Sequence, residues 1–163
     1  MRILGVDPGV AITGFGIVDW EECERVRVIH CGFIGTPPQE KVPERLAQIF
    51  QELNTLVETY RPEEVAVEEL FFNKNSKTAI SVGEARGVVL LCAALRGIPV
   101  YEYTPLQVKQ SIVGYGRATK NQVIYMVRQL LQIAEEITPD DVADALAVAL
   151  CHAFQLRMRR EYV

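Results

Sequence analysis

Two kinds of apolar pattern alternate along the chain. Short apolar runs bounded by turn residues recur at Arg2–Asp7, Thr13–Trp20, Arg25–Gly35, Val65–Leu70 and Val100–Tyr103, and each predicts a strand. Longer stretches repeat apolar residues every three or four positions and predict helices. In Pro43–Tyr60 the stripe is Leu46, Ile49, Phe50, Leu53, Val57 and Tyr60, and Arg61-Pro62 ends it. Thr78–Arg96 predicts a long helix stopped by Gly97 and Pro99. Thr104-Pro105 opens a short one that ends at Gly114, and the capping box Thr119-x-x-Gln122 opens another with the stripe Val123, Met126, Val127, Leu130 and Leu131.

Three strands before any helix predict an antiparallel meander, and the later alternation predicts parallel crossovers. The expected fold is α/β, a five-stranded mixed sheet flanked by helices. It reads as a single domain over residues 1–158 with a short basic tail at 159–163. Gly14, Gly16 and Gly32 inside strands predict bulges or close backbone approach. Gly83 and Gly87 share one helix face, which suits close packing on the sheet or close approach to a partner helix or DNA.

The last helix, from Pro139 to Leu150 and beyond, breaks the amphipathic pattern. Thr138 is expected to cap it, Pro139 to sit in its first turn, and Asp140 and Asp141 to favour its positive end. Asp144 lies past that turn among Ala143, Ala145, Leu146, Ala147, Val148 and Ala149. A helix apolar nearly all round is a buried helix, and a buried carboxylate needs a partner, a cation or a raised pKa. No Lys or Arg lies within a turn of it. Asp141 and Asp144 share a helix face, which suggests a metal site completed by acids elsewhere. Asp7 ends the first strand and Glu68, followed by Glu69, sits near the end of the fourth. If those strands are parallel neighbours, their carboxylates meet at the sheet edge where ligands of such sheets bind. Strand parity alone does not choose between Glu68 and Glu69. Two bare carboxylates about 5 Å apart repel by roughly 3 kcal/mol at an effective dielectric of 20, so four together call for cations. Oxygen-only ligands suit Mg²⁺, and two such ions about 4 Å apart could clamp the attacking water and leaving oxygen of a phosphodiester.

Composition adjusts this picture. With 163 residues, 49% of them apolar, the chain is globular. Its net charge of −4 argues against nucleic acid. Local clusters soften that objection: Lys74 with Lys77, Lys109 with Arg117 and Lys120, and Arg157 with Arg159 and Arg160, the last read as a solvated face. No apolar run is expected to be long enough to cross a membrane, and no signal-peptide layout precedes the first strand. The cysteines at 23, 31, 92 and 151 match no zinc or redox spacing, and Cys92 and Cys151 read as core residues. A reduced, cytoplasmic setting is expected.

The motifs Asp7-Pro8-Gly9, Val67 to Phe72 (V-E-E-L-F-F), Gly83 to Gly87 (G-E-A-R-G), Val108-Lys109-Gln110 and Asp141 to Ala147 (D-V-A-D-A-L-A) resemble, in order and over nearly the whole chain, the RuvC family of bacterial resolvases of four-way (Holliday) DNA junctions. The resemblance implies the ribonuclease H-like fold and a two-fold homodimer. It also implies Mg²⁺-dependent endonucleolytic cleavage, with two ions per site and Mn²⁺ as a substitute, and work in recombination and repair beside the RuvA and RuvB branch-migration helicase. The family's four acids fall on Asp7, Glu68, Asp141 and Asp144, which selects Glu68 over Glu69. Its two active-site lysines fall on Lys109 and Lys120. Asp7 would bridge the metals, and Lys120 would stabilise phosphoryl charge. Phe71 would stack on or wedge between bases, with Lys74, Lys77 and Arg117 as further DNA contacts. Other nucleases of the same fold that trim ribosomal RNA precursors are one rival. A sugar-kinase or actin-like ATPase is another, but it needs a second half for which 163 residues leave no room. A catalytically dead junction-binding protein would not retain all four acids.

Overall fold

A computed structural model describes residues 1–21, 25–70 and 76–161. Strands β1 (Arg2–Asp7), β2 (Ile12–Asp19) and β3 (Arg27–Gly35) come first, then helix α1 (Val42–Tyr60), strand β4 (Glu64–Glu68), helix α2 (Ser76–Leu95) and strand β5 (Val100–Tyr103). Helices α3 (Pro105–Val113), α4 (Lys120–Leu131) and α5 (Asp140–Glu161) follow. The sheet order is β3-β2-β1-β4-β5. The meander pairs antiparallel, and β1 with β4 and β4 with β5 pair parallel. The expected five-stranded mixed sheet is thus present.

Alternation along the central strands divides the core in two. Leu4, Val6, Val65 and Val67 face α1 and α2 with Ile49, Leu53, Val57 and Val89. Ile3 and Ala66 face α3, α4 and α5 with Val108, Val123, Val127 and Leu146. The expected Thr119 capping box forms with Gln122, and Thr104 forms a second reciprocal box with Gln107.

Three expectations need correction and one pair of alternatives is decided. Helix α5 begins at Asp140, after a cis Thr138-Pro139 bond, so Thr138 lies too far upstream to cap it and Pro139 precedes its first turn. The same helix continues through Glu161, so residues 159–161 extend it where a separate tail was expected. Of the two alternatives for the strand glycines, close approach is the one met: the register shift between β2 and β3 falls at Ile17/Val18, while β-carbons on Gly14 and Gly16 would strike Asp141 and Leu146 of α5. Finally, Lys77–Leu95 of α2 is long and apolar enough, by length and composition, to cross a membrane. Counting uninterrupted runs missed it because Glu84 and Arg86 divide the stretch. One flank of α2 is packed through Val89, Cys92 and Ala93, while Ile80, Leu91 and Leu95 are exposed.

Candidate active site

Strand parity aims the first two acids. In β1, Ile3 faces the α5 side and Leu4 and Val6 face away from it, so Asp7 continues the Ile3 row toward α5. In β4, Ala66 faces α5 while Val65 and Val67 face away, so Glu68 falls on the α5 side. Glu69 lies beyond the strand and is exposed. Val6 is paired with Val67, which leaves Asp7 and Glu68, the next residue of each strand, side by side. Of the two glutamates that the sequence pattern leaves open, it is Glu68 that lies beside Asp7 on the α5 side.

Helix α5 brings the other two acids, and it does so by lying directly on the backbone of the meander. A β-carbon on Gly5 would stand 2.2 Å from the Ala145 carbonyl oxygen, and one on Gly14 would stand 2.0 Å from that of Asp141. Only glycine admits a helix at this depth. Gly14 is also the cross-strand partner of Asp7, so the first turn of α5 is seated beside Asp7. Asp144 follows one turn later.

The cation missing from α5 itself comes from α4. The ammonium of Lys120, first residue of that helix, lies 3.0 Å from the Asp144 carboxylate and 3.4 Å from that of Asp140. Asp140 is therefore more than a helix-start acid. A pocket of about 180 Å³ opens among Glu68, Lys109, Lys120 and Asp144, with Val108 and Val123 on its wall. Arg117, in the loop after α3, and Lys77, in the first turn of α2, are exposed and do not line this pocket. Phe71 and Lys74 lie outside the described residues. Gly83 stands 3.6 Å, at the β-carbon position, from Leu70, and Gly87 faces open space rather than the sheet.

Crowding shows in the electrostatics. Burial, then the charges of Asp144, Glu68 and Asp141, push the Asp7 carboxyl up to about 8 against the pull of Lys120. Burial and Asp144 push Glu68 up to about 7, against Lys120 and Lys109. Burial also raises Asp144 above the usual carboxylate range despite its bond to Lys120. Burial works against the charge of Lys120, but its bonds to Asp144 and Asp140 prevail and raise its pKa.

A buried polar network that the sequence reading missed ties these elements together. His152 of α5 is 1% exposed. It fits a neutral imidazole that accepts from the Tyr103 hydroxyl at 2.6 Å on Nδ1 and donates from Nε2 to Glu64. Burial lowers its pKa although Glu64 opposes this. The network joins α5, carrier of Asp144, to β4, carrier of Glu68, and to β5. Its only signal in the sequence is one imidazole in an apolar helix.

The donor set is all oxygen, and the raised pKa values of Asp7 and Glu68 record a crowding that a bound cation would relieve, which fits a hard divalent cation. Among the described residues no three acid, imidazole or thiol groups close into a metal-binding cluster; Glu68 and Asp144 line the pocket, with Asp7 and Asp141 close enough to act on one another's charge.

The family model described as crossover junction endodeoxyribonuclease RuvC matches residues 3–152. The chain is 54% identical over 161 residues to the crossover junction endodeoxyribonuclease RuvC of Pelotomaculum thermopropionicum, covering 99% of this chain and 98% of that protein. It is 56% identical over 153 residues to the one from Brevibacillus brevis, covering 94% and 92%. Among solved structures, T. thermophilus RuvC in complex with a Holliday junction substrate superposes with a TM-score of 0.92 at 43% identity, covering 98% of this chain and 96% of that one. With the model spanning both carboxylate-bearing strands and the acid-bearing helix, the chain belongs to the RuvC family of crossover junction endodeoxyribonucleases.

Proposed function

We propose that this chain resolves four-way DNA junctions by paired, symmetric nicks, hydrolysing one phosphodiester at each of two equivalent sites. The observation that carries this reading is the convergence of Asp7, Glu68, Asp141 and Asp144 from two strands and one helix, beside a lysine-edged pocket. The four acids would hold two Mg²⁺ ions, or Mn²⁺ in their place. When bound, these supply charge neutralisation and Lewis-acid activation of the attacking water and leaving oxygen. The chain's own groups do the rest. Asp7 and Glu68 are held by the sheet, and Asp141 and Asp144 by a helix seated so close to Gly5 and Gly14 that no β-carbon fits between. Lys120 and Lys109 place positive charge at the pocket wall, where a phosphate's developing charge would lie. Val108 and Val123 exclude water from its floor.

A symmetric substrate suits a symmetric enzyme, and an isologous dimer presents two equal sites. The exposed Ile80, Leu91 and Leu95 on α2, with Gly87 open between them, support a second copy docking along that helix. A cytoplasmic setting beside the RuvA and RuvB helicase, with Lys77 and Arg117 as outer DNA contacts and Phe71 and Lys74 at the junction centre, completes the reading.

The test is cleavage of a synthetic four-way junction beside a linear duplex of the same sequence. Mg²⁺ should give symmetric nicks in the junction alone, and Ca²⁺ should permit binding without cleavage. Equal cutting of the duplex, or full activity in excess chelator, would overturn the proposal.

A further inference from the structure

The loop between α3 and α4 holds an aromatic residue that the site described so far does not use. Gly114 ends α3 with a left-handed turn (φ 93°). The chain then folds back along that helix, because a β-carbon on Gly116 would stand 2.1 Å from Leu106 Cδ1 and 3.8 Å from Gln110. Leu106 adjoins Pro105, a wall of the pocket that holds Glu68, Lys120 and Asp144. The return therefore lays residue 116 against helix α3, whose Pro105, Val108 and Lys109 line that pocket, before Thr119 caps α4 and Lys120 enters it. Tyr115 is 47% exposed and Leu106 54%. Both are large apolar groups left in water on the same α3–α4 segment as the three cations Lys109, Arg117 and Lys120.

The chemistry of that combination is specific. Cations alone would suffice to hold a phosphate backbone. An exposed ring and an aliphatic side chain beside them add a flat apolar surface that suits the face of a nucleobase. We infer that Tyr115 and Leu106 form a shelf on which the base of the nucleotide next to the scissile phosphate stacks, so that Tyr115 is a positioning residue for cleavage. This rests on the nuclease reading of the adjoining pocket. The lysines take the phosphate, the shelf takes the base, and the separation between the two sets which phosphate of the strand reaches the acids. Stacking tolerates every base, so the shelf sets position along the strand rather than sequence.

The experiment uses the full chain and a junction whose scissile phosphates are first mapped from product ends. A 2-aminopurine is placed next to one of them, and fluorescence is read in Ca²⁺, with single-turnover cleavage read in Mg²⁺. The parent should quench the probe. Tyr115→Ala should lose the quench, cleave about ten-fold or more slowly and scatter its cuts to neighbouring phosphates. Tyr115→Phe should keep quench, rate and cut site, since the ring and not the hydroxyl is at work. Tyr125→Ala, which removes another exposed ring from α4, should behave as the parent. Melting temperatures of all three should match the parent, because both rings are exposed. Unchanged quench and cut site in Tyr115→Ala would overturn the inference, as would a Tyr115→Phe as impaired as Tyr115→Ala. A parent that fails to cleave the junction at all would instead overturn the reading of the pocket.

Discussion

The two faces of the sheet are built on different terms. On the α1 side a conventional amphipathic stripe, Ile49, Leu53 and Val57, packs side chain to side chain against Leu4, Val6 and Val65. On the α5 side the helix rests on glycine backbone, with the carbonyl oxygens of Ala145 and Asp141 where β-carbons would otherwise be. Side-chain packing leaves room for small adjustments, whereas backbone on backbone leaves almost none. The face that carries the acids is the one with the least freedom to shift. The other supplies bulk stability and, along α2, the apolar surface available to a second copy.

This contrast can be broken by substitution. The largest effect is expected from Asp7→Asn, which should lower single-turnover junction cleavage by several orders of magnitude. Its metal-free melting temperature should not fall, since Asn replaces a carboxyl that burial and its acidic neighbours already hold largely protonated below about pH 8. A matched pair sharpens the comparison of faces. Leu53→Ala, 1% exposed on the α1 side, should cost about 2–5 kcal/mol in denaturant unfolding while leaving the cleavage rate per folded molecule unchanged. Gly14→Ala should cost at least as much, because its β-carbon would stand 2.0 Å from the Asp141 carbonyl oxygen with no side chain to give way, and it should also slow cleavage at least ten-fold by displacing the first turn of α5. Equal rates in the two variants would erase the distinction.

The smallest effect is one of pH. Asp7 and Glu68 are raised in the folded protein to about 8 and about 7, above their values in an unfolded chain. Folded protein therefore holds protons that unfolded chain has released, and stability falls as pH rises between the two sets of values. Metal-free melting temperature should drop on going from about pH 5 to about pH 8, and Asp7→Asn should flatten the drop. A melting temperature that climbs over this range would contradict the burial of these acids.

Much of this was legible beforehand because local rules sufficed. β1 and β5 start and end as the apolar runs predict, and the Thr119-x-x-Gln122 capping box forms, since strand runs and capping boxes depend on near neighbours. The convergence of acids was legible only through the logic of parallel strands and of a helix too apolar to be exposed. What escaped needed distant contacts. The partner of Asp144 is Lys120, 24 positions away on another helix, and no inspection of α5 could supply it. Glu68 and Glu69 looked alike until Ala66 was seen against α5 and Val67 against the other face. Likewise Gly14 and Gly16 suggested close approach, but which element approached was a property of the fold.

The most direct test compares two neighbouring acids of α5. Asp144 borders the pocket and Asp140 is exposed, yet both touch Lys120. Single-turnover cleavage of one junction in Mg²⁺ should fall by several orders of magnitude in Asp144→Asn, with junction binding kept or tightened as one negative charge facing phosphate is removed. Asp140→Asn should lose no more than a few-fold, through looser placement of Lys120. If the two variants cleave equally well, the acids of this helix serve only its positive end and its lysine, and the active site lies elsewhere.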